Sequence, residues 1–93
     1  MAKKIIGRAV FDNSIHQTAD LKRKILEVCE AKNLPIIDID VTHEIHVSFD
    51  IVAKDKIEAL NKLKAFAYSL AADLKKFGEL EDFYLVNARG EPI

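Results

Sequence analysis

The 93-residue chain has no tryptophan, one cysteine, one methionine, two prolines and three glycines. Each scarcity removes a class of protein. A lone cysteine, Cys29, cannot close an internal disulfide. A disulfide-built secreted scaffold is therefore excluded, and a soluble cytoplasmic protein is the expectation. Gly7, Gly78 and Gly90 are too scattered to form a glycine-rich phosphate loop. No internal repeat, linker or low-complexity tract interrupts the chain, so residues 1–93 read as one domain, with a frayed tail at 88–93. The apolar runs are too short for a bilayer, and Met1-Ala2-Lys3-Lys4 leads into too few apolar residues for a signal peptide. No membrane partner is expected. Charge of one sign is also missing: 14 basic residues against 15 acidic ones leave a net charge of −1. Nucleic acid demands a concentrated positive field, so it is not an expected partner either.

What is present is an apolar fraction of 49% and a polar/apolar alternation that holds its phase from Ile36 to Val52. Ile37, Ile39, Val41, Ile45, Val47, Phe49 and Ile51 fall on one side. Asp38, Asp40, Thr42, Glu44, His46, Ser48 and Asp50 fall on the other. A period of two means β structure with one face in a core and one toward water or a partner. As one straight strand this stretch would span roughly 55 Å at ~3.3 Å per residue, while a compact domain of this size is roughly 25–35 Å across. It must turn or bend. A three-residue loop, Thr42-His43-Glu44, pairs Val41 with Ile45, Ile39 with Val47 and Ile37 with Phe49, keeping every apolar residue on one face. Such loops usually take glycine at a left-handed position, and none is here, so a long bent strand shared with a partner chain is the alternative.

Around this stretch the other elements fall into order. Lys4 to Phe11 reads as a strand, with two competing phases: Ile5, Gly7, Ala9 and Phe11 against Ile6, Arg8 and Val10. Ser14 and Gln17 have capping-box spacing ahead of a helix running to about Lys32, with Leu21, Ile25, Val28 and Cys29 as its stripe. Asn33 and Pro35 end it. Asp55 and Glu58 repeat the capping spacing and open a second helix, roughly Lys56 to Lys76, with Gly78 placed as a left-handed cap. Phe83 to Val86 gives a last strand. The order β-α-β-β-α-β with right-handed crossovers is an α+β, ferredoxin-like arrangement: a four-stranded antiparallel sheet with both helices on one face.

Two surfaces stand out. Ile57, Leu60, Leu63, Ala67, Leu70 and Leu74 make the stripe expected against the sheet, widened by Ala59, Phe66 and Phe77. Ala65, Tyr68 and Ala72 add a further row, so the second helix is apolar most of the way round and calls for cover on a second side. In so small a domain that cover is another chain, and a homodimer is expected with Ala65, Phe66, Tyr68 and Ala72 at the contact. The second surface is the acidic face Asp38, Asp40, Glu44, His46 and Asp50, a candidate contact for an unidentified protein partner.

Catalytic apparatus is sparse. His43-Glu44-Ile45-His46 lacks the helical spacing of a zinc-binding H-E-x-x-H. Cys29 lies on an apolar stripe, where a thiol is inert. The third strand lacks the stacking aromatics of the RNA-recognition pattern. No cofactor, metal or catalytic residue is assigned. The expected function is a small non-enzymatic regulator, adaptor or inhibitor acting through protein binding. The alternatives are a small-ligand or metal-binding domain built on His46 and nearby carboxylates, and an enzyme assembled at a dimer interface from Ser48, His46 and Asp50.

Overall fold

A computed structural model of the chain describes residues 2–14, 19–76 and 78–93. The elements are β1 (Lys3–Asp12), α1 (Ala19–Ala31), β2 (Ile36–Val41), β3 (Glu44–Ala53), α2 (Lys56–Asp73) and β4 (Leu80–Val86). The strands make one antiparallel sheet in the order β2-β3-β1-β4. The fold is α+β, with an open four-stranded sheet and two helices. Leu21, Ile25 and Cys29 of α1 join Ala59, Leu63, Ala67 and Leu70 of α2 in one core with the inward side chains of all four strands. Among the described residues, the other face of the sheet carries no helix.

The alternating stretch turns through the three-residue connection. Val41 pairs with Ile45, Ile39 with Val47 and Asp40 with His46, and the Thr42 amide donates to the Glu44 carbonyl at 3.0 Å. The missing glycine is no obstacle, because the positive-φ residues described are Asn33 and Gly90, neither of them in this loop. One expected pair is wrong. A register shift between Ile36 and Asp38 puts Ile36, not Ile37, opposite Phe49. Ile36 packs on the core and Ile37 is half exposed. A bulge inserts one residue and so breaks a strict period of two. In β1, Gly7, Ala9 and Phe11 face the core, and Ile6, Arg8 and Val10 take the open side.

The helix ends have local causes. Asn33 sits at φ 56° and closes α1, with its amide donating to the Glu30 carbonyl and the Leu34 amide to the Cys29 carbonyl. That pair of bonds is a Schellman cap, and asparagine is the side chain other than glycine that best tolerates the left-handed position. The proposed Ser14/Gln17 capping box reaches into residues 15–18, outside the described residues. Asp55 caps α2 as expected, its carboxylate accepting from the Glu58 amide at 2.8 Å. α2 ends at Asp73, earlier than the predicted Lys76. Gly78 is not a left-handed cap, since its φ is not positive. It is required for another reason: a Cβ there would overlap the backbone carbonyl of Asp12. The Asp12 amide donates to the Glu79 carbonyl at 2.9 Å beside it.

The C-terminal residues do not hang free. The Asn87 amide donates to the Glu91 carbonyl, Val86 bridges to Pro92, and the Ile93 amide reaches the Leu85 carbonyl at 2.9 Å. Gly90, at φ 79°, makes the turn. The frayed end at 88–93 is thus replaced by a return along the outer edge of β4.

Candidate protein-contact surfaces

α2 lies over β4, β1 and β3, and its phase differs from the expected stripe. Its fully buried line is Ala59, Leu63, Ala67 and Leu70, followed by Leu74 at the cap. Ile57 and Leu60, assigned to that line, face outward with 75% and 42% of their surface exposed. The reason is size. Gly7 on β1 leaves a dent beneath the helix, where a Cβ would come 2.9 Å from the Leu63 methyls. Leu63 fills it, and the small Ala59 and Ala67 on its flanks let the helix settle close to the sheet. That seating turns the larger Ile57 and Leu60 toward the β4 side.

Of the candidate contact residues on α2, Ala65 and Ala72 are exposed, and Tyr68 keeps 54% of its surface open. Phe66 is not with them. It packs against the core, its ring 5.6 Å from that of Phe49. It supports the fold instead of presenting a contact. Tyr68 rests edge-on against Phe83 of β4 at 6.1 Å, with the Lys64 ammonium 5.8 Å from its ring. Near the start of the helix, Ile57 and Leu60 line a shallow groove of about 430 Å³ with Phe83, Leu85 and Ile93. Sequence periodicity missed this second part of the surface. The signal was available in the excess of apolar positions over those one helix face can hide. On the α1 side α2 is occupied: Lys32 donates to Ser69 at 3.1 Å and pairs with Asp73 at 2.8 Å.

The polar row of the hairpin occupies the open face, on the opposite side of the molecule. Asp38 and Asp40 are exposed on β2, Glu44 is exposed at the start of β3, and His46, Ser48 and Asp50 are partly covered. The two candidate surfaces are therefore separate and cannot meet one partner patch. Arg8, in the middle of this face, stacks over Tyr84 at 6.0 Å and makes a long 3.5 Å bond to the Gly90 carbonyl. Val10 is 6% exposed between His46 and Asp82, its ladder neighbours.

At one end of this face carboxylates gather. The register shift in the β1–β4 ladder leaves Glu81 as the extra residue. Its carboxyl hydrogen-bonds that of Glu44, which lifts its pKa; partial desolvation and the charges of Glu44 and Asp12 push the same way, against His46. Two carboxyl groups that share a hydrogen bond favour one retained proton. The His46 ring nitrogen lies 3.4 Å from Glu44. Among the described residues, no group of three or more His, Cys, Asp or Glu side chains is placed to hold a metal ion. His46, Ser48 and Asp50 share one face of β3, with same-face neighbours roughly 7 Å apart, too far for a nucleophile and base to meet without further movement. Cys29 is buried, and burial pushes its thiol up to about 11, with Glu30 adding to the shift.

No helix among the described residues is long and apolar enough to cross a membrane. Compared with family models, curated proteins and solved structures, the chain finds no match.

Proposed function

We propose that this chain is a small non-enzymatic, ferredoxin-like domain that works by binding protein, as a homodimeric regulator, adaptor or inhibitor in the cytoplasm. One observation carries the reading. Ile57, Leu60 and Tyr68 line the outer, β4-facing side of α2, 75%, 42% and 54% exposed, with Ala65 and Ala72 beside them. A single helix that keeps three large apolar side chains in water, next to an apolar groove, is the composition of an interface core. Alanines flanking a tyrosine let a second helix come close while the hydroxyl stays at the rim. A second copy supplies the same row by symmetry, which makes the contact self-complementary.

Size-exclusion chromatography with light scattering tests this. The expected mass is twice the 10.5 kDa chain. Ile57→Lys and Tyr68→Glu are expected to give one chain mass while the fold is retained, since neither side chain belongs to the buried core. A wild-type monomer at high micromolar concentration would refute the dimer.

A further inference from the structure

The two edges of the sheet are finished differently. On β4, the Asp82 carboxylate takes the Phe83 amide at 2.8 Å, and the C-terminal return reaches the Leu85 carbonyl. Those contacts blunt the edge against a further strand. On the other side, the ladder of β2 among the described residues is with β3 alone. Its outer edge carries Asp38 and Asp40, two exposed carboxylates at same-face spacing, with half-exposed Ile37 at the bulge.

We infer that the outer edge of β2 takes an extended, basic segment of a partner protein as an added strand. An unpaired edge supplies main-chain donors and acceptors to any strand. The charges choose among them. A second copy pairing antiparallel through β2 would set Asp38 and Asp40 against the same residues of its mate, and like charges placed opposite destabilise a sheet. An acidic strand or nucleic acid meets the same repulsion. A strand with lysine or arginine at alternate positions places each cation beside a carboxylate, so the row that blocks self-pairing admits a basic guest. His46 and Asp50, next along the open face on β3, extend the polar row inward. The inference rests on the protein-binding reading but uses a surface on the opposite side from the dimer row.

The test is ¹⁵N-resolved titration of the intact chain with an acetylated, amidated Lys-Val-Lys-Val-Lys-Val peptide, with Glu-Val-Glu-Val-Glu-Val as control. Amide shifts centred on residues 36–41 are expected for the lysine peptide, with affinity falling as salt rises. The Asp38→Lys/Asp40→Lys double variant changes exposed side chains and is expected to lose affinity at least tenfold while keeping its spectrum. Shifts centred on α2 or β4, equal binding of the glutamate peptide, or no shifts at millimolar peptide would overturn the inference. A monomer that still binds the lysine peptide removes the dimer and keeps this edge. A dimer that ignores the peptide does the reverse.

Discussion

Replacing Gly78 by alanine is the sharpest single test of how β1, β4 and the end of α2 fit together. The new Cβ would overlap the Asp12 carbonyl, a backbone group that no rotamer change can move. Relief requires pulling the two backbones apart, which sacrifices the 2.9 Å bond from the Asp12 amide to the Glu79 carbonyl. Overpacking costs about 1–3 kcal/mol, and the lost hydrogen bond adds about 1 kcal/mol. Alanine stiffens the unfolded chain, which returns about 0.4–1 kcal/mol. The net expectation is a loss of about 1–3.6 kcal/mol, centred near 2 kcal/mol, out of a total of roughly 5–14 kcal/mol for a domain of this length. At a urea m-value of about 1–1.5 kcal/mol per molar, the midpoint falls by about 2 M. Circular dichroism is the readout, since the chain has no tryptophan. Gly7→Ala is the internal comparison. There the Cβ meets side-chain ends, Ile51 Cδ1 at 2.7 Å and the Leu63 methyls at 2.9 Å. Those can rotate at a cost of about 1 kcal/mol. A Gly78→Ala protein as stable as wild type, or more stable than Gly7→Ala, would refute the packing described at Asp12.

Two further outcomes follow from titrating groups. Glu81 holds its proton to higher pH than an ordinary glutamate because it hydrogen-bonds Glu44. A raised folded-state pKa gives a contribution fully present below the unfolded value and lost as pH rises through the folded one. Wild-type urea midpoints should therefore fall relative to Glu81→Gln as pH climbs through and just above the usual glutamate range; parallel profiles for the two proteins would remove the carboxyl pair. Cys29, buried with its thiol raised to about 11, should resist iodoacetamide in the native state at neutral pH and react readily in denaturant. Rapid native alkylation would contradict the packing of α1.

The hairpin was the most legible part of the chain, because a run of β-branched residues at a period of two can satisfy a core in one register. The Ile37 error shows the limit. A bulge moves one residue without changing composition, and Ile36 and Ile37 are chemically identical. In α2 the apolar positions outnumber those one face can bury, so periodicity alone could not choose between Ile57 and Ala59. The choice falls to Gly7, whose dent belongs to a strand distant in sequence. Gly78 and the C-terminal return also depend on long-range neighbours, Asp12 and Leu85. Of the candidate contacts, the acidic row on the open face was read directly from alternation, whereas Phe66 was misplaced because an aromatic at helical spacing fits either side of a wide apolar stripe.

The central place of β1 has a kinetic corollary. It is the earliest strand made, yet its two hydrogen-bonding neighbours are β3 and β4, and β4 is the last element of the fold. On a ribosome, Ala9, Val10 and Phe11 can therefore meet β3 once Ala53 is out, but their other flank stays open until β4 has emerged. Loop closure over such distances slows folding, and this is the interval in which a holdase would find the nascent polypeptide.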